Sequence, residues 1–241
     1  MDLSFSAFSR FPVEWGITTR VFPLFLSGIE DLKDSGKASA LQEYFFPSRH
    51  VIFPEQVHGE KVRFVSPEDF HKETSFSILP EADGLLTDLP NTTLAVLTAD
   101  CLPIFFLVPD PLTVGIVHAG WRGSVASIAR RAVEQLQRAT RQDPSRFLVA
   151  LGPCIRRCCY EVGEEMKRLF PATWAERDGR LTLDLVRENR EQLEKVGVEG
   201  ENIGDCFLCT SCHPEKFYSY RREKEKAGRM VSWIRVKNML P

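Results

Sequence analysis

His118 closes the apolar run Thr113 to His118 (TVGIVH) and opens into Ala119-Gly120-Trp121-Arg122-Gly123. Cys101 follows another apolar run, in Thr98-Ala99-Asp100-Cys101-Leu102-Pro103, and His58 stands beside glycine in Gln56-Val57-His58-Gly59. Strand ends next to small residues are places where backbone can open around a ligand. Two imidazoles and one thiolate form a borderline-soft donor set. It suits zinc, or copper, with a fourth position left for water or substrate. The separations are long and match no compact zinc motif. The plainer alternative is that Cys101 and His118 are satisfied core groups. Asp100, next to a ligand, can orient it or carry a proton, or it can cap a local turn. Gly120, Gly123 and Arg122 precede a helix expected from Ser124. Its first N–H groups lack partners, and a guanidinium beside them can grip phosphate or carboxylate in a bidentate way. An anion site is expected there; the alternative is an Arg122 paired with a local acid.

A second cluster competes. Cys206, Cys209 and Cys212 recur every third residue and His213 follows. Such a string needs distant partners to close a tetrahedral site, and the candidates are Cys154, Cys158 and Cys159. A structural zinc drawn from these two groups is one reading. Free thiols lining an interior is the other, and the one the sequence favours.

The elements that must hold these residues can be read from the apolar pattern. Thr93 to Thr98, Ile104 to Val108 and Thr113 to His118 are unbroken runs expected to be strands covered on both faces. Val51 to Phe53, Val62 to Val65 and Phe147 to Leu151 read as further short strands. Ser124 to Thr140 carries Val125, Ile128, Ala129, Ala132, Val133 and Leu136 at helical spacing, with Ser124 as its cap. Glu161 to Phe170 and Leu185 to Val196 read as helices. Phe22 to Gly36 reads as loop, and Phe217 to Arg222 and Arg229 to Val236 as paired strands. Interleaved strands and helices without a βαβ rhythm predict one α+β domain over residues 1–241, with mixed sheets and helices packed outside.

Composition narrows the class. The chain has 241 residues, 43% hydrophobic and 27% charged, with a formal net charge of -2. That balance argues against nucleic acid as the main partner. No apolar segment is long enough to span a bilayer, and Met1 to Trp15 lacks the pattern of a signal peptide. Seven cysteines leave an odd thiol in any disulfide framework. Reduced thiols in a cytoplasmic enzyme with a small-molecule substrate are therefore expected.

Taken in order, Gln56-Val57-His58-Gly59, Thr98-Ala99-Asp100-Cys101-Leu102-Pro103, His118-Ala119-Gly120-Trp121-Arg122-Gly123, Gly152-Pro153-Cys154-Ile155, Cys158-Cys159-Tyr160-Glu161-Val162-Gly163, Cys209-Thr210 and Phe217-Tyr218-Ser219-Tyr220-Arg221-Arg222 closely resemble the laccase-domain family. That family was named multicopper polyphenol oxidoreductase and is now described as a purine nucleoside phosphorylase family; some bacterial members are called peptidoglycan editing factor. The similarity runs from about Trp15 to Arg235.

The resemblance implies an α/β/β/α layering, with mixed sheets sandwiched between helices. It implies zinc on His58, Cys101 and His118, which with Asp100 form the expected catalytic group. Gln56, Gly120 and Arg122 are expected at the substrate or anion. The implied activities are adenosine deamination and phosphorolysis of adenosine, inosine, guanosine or methylthioadenosine. Cys158, Cys159 and Cys209 match motif positions not assigned to metal. The sequence departs from the family in three places. Val21 to Ser35 lacks the usual glycine-rich loop, Ser48-Arg49-His50 stands where an Asn-Arg pair is usual, and the last turn reads Arg221 to Arg229 as RREKEKAGR. Two rival activities fit parts of the same site. Copper oxidation of phenols fits the donor set, but a multicopper enzyme needs many histidines and only His50, His71 and His213 remain. Metal-free Cys101–His118 hydrolysis, as in peptidoglycan precursor editing, is the other. A small-molecule binding module is the non-enzymatic reading.

Overall fold

The unbroken apolar runs of the middle third become strands buried on both faces, because each sheet is covered on both sides. The computed structural model describes residues 6–22, 24–45, 50–70, 76–177 and 179–237. Among them are thirteen strands: β1 (Val13–Ile17), β2 (His50–Pro54), β3 (Val62–Phe64), β4 (Phe76–Leu79), β5 (Gly84–Thr87), β6 (Thr92–Thr98), β7 (Leu102–Pro109), β8 (Leu112–Ala119), β9 (Leu148–Leu151), β10 (Trp174–Arg177), β11 (Arg180–Leu183), β12 (Ile203–Asp205) and β13 (Met230–Val236). The helices are α1 (Ser35–Phe45), α2 (Trp121–Val125), α3 (Ile128–Thr140), α4 (Glu165–Leu169), α5 (Leu185–Lys195) and α6 (Tyr220–Glu223).

Two large sheets form, in the orders β1-β13-β6-β2-β4 and β12-β9-β7-β8-β5-β3, with β10-β11 as a separate hairpin. Both large sheets are mixed: β2 runs parallel to β4 and β6, and β13 antiparallel to β1 and β6. The period of two along each strand sorts residues between layers. Phe105 and Leu107 of β7 point inward, where they meet Ile52, Leu94, Val96 and Ile234 of the other sheet. Ile104 and Phe106 point outward, onto Ile128, Ala129, Ala132, Val133 and Leu136 of α3 and Leu193 of α5. On the far side, Val51, Phe53, Ala95, Leu97 and Val231 pack with Leu41 of α1. The α+β class and the α/β/β/α layering expected from the sequence are thus present, and the fold places three apolar layers around two sheets. No helix among the described residues is long and apolar enough to cross a membrane.

Four local readings change. The helix expected from Ser124 begins at Trp121 instead, and it breaks at Ser127, whose φ of 62° and ψ of 44° are left-handed. Ser124 is not a cap; its hydroxyl accepts from Asn189 Nδ2 and its carbonyl from Gln192 Nε2. The helix expected over Glu161 to Phe170 is confined to α4, because Glu161 bridges Thr182 and Val162 N–H donates to Leu181. Phe217 to Arg222 is not a strand: Phe217 is core, and Ser219 caps α6 by accepting from Arg222 N–H. The segment read as loop contains a 3-10 turn at Ile29–Lys33, and Lys37 N–H donates to Asp34 Oδ1 at the entrance of α1. Ser48, Arg49 and His71 lie outside the described residues.

Candidate metal centre and pocket

His118 is the penultimate residue of β8, opposite Pro103 of β7, and Cys101 lies two residues before Pro103, just ahead of β7. His58 lies in the loop between β2 and β3. The ligand atoms of His58, Cys101 and His118 all fall within 4.8 Å of one another, and the two imidazole rings meet edge to face at 4.8 Å. Gly120 completes the cradle. A Cβ there would lie 3.0 Å from Cys101 Sγ and 3.2 Å from His58 Cδ2, so any side chain would press on the donors. Gly123 is similarly confined, with the Gly59 carbonyl 2.9 Å from where its Cβ would be.

Sequence reasoning missed the residue that organises this group. Asp83 is fully buried at the start of β5. Its carboxylate accepts from the backbone N–H groups of Val57 at 3.1 Å, His58 at 3.0 Å and Gly59 at 2.7 Å. It also meets His118 Nδ1 at 2.9 Å, which leaves Nε2 as the nitrogen able to bind a metal. The only local sign was an acid directly before glycine and an apolar run, in Ala82-Asp83-Gly84-Leu85.

Electrostatics favour a charged pair. Burial alone would push the Cys101 thiol up, but the charge and hydrogen bond of His118, joined by His58, hold it down at about 6. Burial would depress His118; the Cys101 sulfur and the Asp83 carboxylate together raise it to about 9. A thiolate with two imidazoles, one of them braced by a carboxylate, fits a zinc ion with an open fourth position.

Asp100 lines the cavity, and its carboxylate is engaged by three donors. Its φ is 91°. Its carboxylate accepts from Thr210 Oγ1 at 2.6 Å, Ser219 Oγ at 3.0 Å and Arg221 N–H at 2.7 Å. It therefore fastens the segments carrying those residues to the Cys101 turn. Gln56 is also engaged: its side-chain amide donates to the Leu97 carbonyl and accepts from Leu97 N–H, both at 2.7 Å. Asp100, Gln56 and Gly120 stand beside the ligands, but the two polar side chains already have partners.

A cavity of about 490 Å³ opens over the ligands. Trp121, Tyr160, Tyr220, Ile29, Leu97 and Leu185 give it apolar and aromatic walls, and Arg122, Arg221 and Arg229 bring three guanidiniums. Arg122 is exposed on α2 and lies over the Trp121 ring at 4.6 Å. Helix α2 has five residues, too few for its N-terminus to carry much charge; the charge for an anion must come from the arginines. Arg229 donates to the carbonyls of Ala227 and Gly228. Burial holds its guanidinium below the ordinary value. None of these three arginines has a carboxylate in ion-pair range among the described residues. Arg221, Arg229 and Tyr160 were not singled out as pocket residues from the sequence.

The second cluster also assembles, in a different composition from the string of three. The sulfurs of Cys158, Cys159, Cys209 and Cys212 gather within 4.8 Å of one another. Cys206 is not among them, and His213 Nδ1 lies 3.3 Å from Glu215 Oε1 instead.

Asp83→Asn should separate orientation from packing, since the amide keeps the shape but cannot accept all four hydrogen bonds. Zinc affinity should fall ~10–100-fold, and stability by about 2–4 kcal/mol, the scale of lost hydrogen bonds to a buried charge. Wild-type zinc affinity and melting temperature in this variant would show that the carboxylate orients neither histidine. In metal-free protein, alkylation of Cys101, followed by peptide mass analysis, should reach half its maximal rate near pH 6, because the thiolate persists down to that pH. A midpoint near the ordinary thiol value of about 8.5 would mean that no thiolate–imidazolium pair forms.

Comparison with known proteins agrees with this architecture. The family model described as multi-copper polyphenol oxidoreductase laccase matches residues 35–237. "Purine nucleoside phosphorylase YlmD" of Geobacillus stearothermophilus is 36% identical over 200 residues, which cover 78% of this chain and 73% of that one. A protein of Deinococcus radiodurans named purine nucleoside phosphorylase is 39% identical over 185 residues, covering 74% of this chain and 67% of its own. The crystal structure of YlmD from Geobacillus stearothermophilus superposes with a TM-score of 0.84 at 33% identity, covering 94% of this chain and 93% of that one. With its motifs, its layered sheets and its ligand cradle all in place, the chain belongs to the multi-copper polyphenol oxidoreductase laccase family, whose relatives include proteins named purine nucleoside phosphorylase.

Proposed function

We propose that this protein is a zinc-dependent enzyme that cleaves purine nucleosides with phosphate, and that the same pocket deaminates adenosine. One observation carries the reading. A single cavity joins a His-Cys-His donor set to aromatic walls and to three guanidiniums that, among the described residues, have no carboxylate in ion-pair range. Flat aromatic surfaces suit a purine, and guanidiniums not neutralised by an acid suit phosphate. The names of the relatives point to the same substrates.

His58, Cys101 and His118 would hold the zinc, which supplies Lewis acidity at its open position. Arg122, Arg221 and Arg229 would bind phosphate and aim one oxygen at the sugar carbon that carries the base. In phosphorolysis the bond from C1′ to the purine nitrogen breaks and a bond from C1′ to a phosphate oxygen forms. The base leaves with the bonding electrons and takes up a proton. Burial raises the Tyr160 phenol and keeps it protonated, so it can donate a hydrogen bond to the departing purine. In deamination, water would add at C6 and ammonia would leave. Asp100 and Gln56 would act as positioning residues through Thr210, Ser219, Arg221 and Leu97.

Zinc is proposed over copper. Besides the ligands, His50 stacks on Phe70 at 3.8 Å and His213 faces Glu215, so among the described residues no further imidazole cluster stands ready for a multicopper chain. The low Cys101 thiol keeps one second reading in view, a metal-free nucleophile with His118 as its base.

Zinc-loaded protein should convert adenosine, inosine or guanosine to free base and ribose 1-phosphate, and methylthioadenosine to adenine and methylthioribose 1-phosphate, only when phosphate is present, and adenosine to inosine without it. Turnover of none of them would end the nucleoside assignment. Full turnover after zinc removal would favour the metal-free reading. Arg229→Ala should raise the KM for phosphate ~10–100-fold, the equivalent of losing a charged hydrogen bond, with zinc content unchanged. Arg122→Ala, at an exposed site, should do so to a smaller degree. Unaltered phosphate dependence in both would place the anion elsewhere.

A further inference from the structure

Cys158 and Cys159 lie in the segment after β9, and Cys209 and Cys212 in the segment after β12. The two segments are fastened together by backbone. Cys154 and Cys209 form a parallel bridge, Cys154 N–H donates to the Leu208 carbonyl, and Thr210 N–H donates to the Cys154 carbonyl. That pairing carries a vicinal Cys-Cys and a Cys-x-x-Cys into one place. Cys212 Sγ lies 3.3 Å from Cys159 Sγ and 3.6 Å from Cys158 Sγ, and all four sulfurs fall within 4.8 Å. None of the four lines the cavity over the His-Cys-His group.

We propose that Cys158, Cys159, Cys209 and Cys212 form a second, structural zinc site that clamps these two segments together. Four sulfurs around zinc at ~2.3 Å form a tetrahedron whose edges are about 3.8 Å, which lies inside the spread of separations here. All four cysteines are free thiols, and a tetrathiolate ion uses all four. Arg157 lines the shallow pocket beside the cluster, where its guanidinium would offset part of the surplus charge of a tetrathiolate ion.

The clamp would serve the pocket at one remove. The segment after β9 carries Ile155 and Tyr160 on the cavity wall. The segment after β12 carries Thr210, whose hydroxyl donates to Asp100 beside Cys101. Holding the two together fixes both the wall and the support of the first site.

The test is metal stoichiometry on the whole chain, purified under reducing conditions and saturated with Zn²⁺ alone. Wild type should hold two zinc ions per chain. His58→Ala/His118→Ala should hold one, and Cys209→Ser/Cys212→Ser should hold one. Co²⁺ substituted into the double histidine variant should give the intense visible bands of a tetrahedral tetrathiolate. That measurement stands even if the cysteine variant fails to fold. No metal in the double histidine variant, a single metal in wild type that is retained in Cys209→Ser/Cys212→Ser, or a disulfide joining any two of the four cysteines in zinc-saturated protein would each overturn the proposal.

Discussion

The buried carboxylate of Asp83 is where three separate stretches of chain agree on one geometry. Gln56 and His58 both have φ near 58°, a left-handed conformation that costs non-glycine residues of order 1–3 kcal/mol. Successive N–H groups in such a turn point to one side, and the Asp83 oxygens meet those of Val57, His58 and Gly59. The same carboxylate fixes the His118 ring. A charge buried this deeply is tolerable only when fully solvated by donors, so the loop and the histidine sustain the carboxylate as much as it sustains them. The site is therefore shaped before any metal or substrate arrives.

Asp100 repeats the device on the other side of Cys101. Its carboxylate too is filled by donors, but these come from Thr210, Ser219 and Arg221, more than a hundred residues further along, and Asp100 itself has positive φ. Cys101 is thus held between two acids with distinct duties. Asp83 governs the neighbouring ligands, and Asp100 recruits the distal chain that supplies Arg221 to the pocket. Gln56 adds a third fastening by pairing its amide with Leu97 as if it were a strand residue.

The parts legible in the sequence are those with local signatures. The runs that become β6, β7 and β8 are apolar without interruption because they are covered on both faces, and the ligands sit at their ends in distinctive motifs. What escaped depends on partners far along the chain. Asp83 looks like a turn acid until His118 is placed beside it. Arg229 looks like one more charge in a basic and acidic stretch, since nothing local shows that no carboxylate will reach it. The division between α2 and α3 falls at Ser127, a residue type that does not announce a left-handed conformation as glycine would. Cys206, Cys209 and Cys212 recur at regular spacing, yet only Cys209 and Cys212 join the cluster, because the bridge between Cys154 and Cys209 brings Cys158 and Cys159 to them and leaves Cys206 out.

Strand β13 lies between β1 and β6, and this has a consequence for how the molecule is made. On the ribosome β1 emerges first of the described strands and β13 last of them. Until β13 arrives, β1 has no hydrogen-bonding neighbour in its sheet, and one edge of β6 stays open. The six-stranded sheet has no such debt to the final strand, since β3, β5, β7, β8, β9 and β12 all precede it. Synthesis therefore favours a nascent chain in which the half carrying His118 is layered early while the other half waits with exposed strand edges. Such edges invite pairing with other chains. The interval before β13 is released is the stage of this protein's life at which association with a chaperone would matter most.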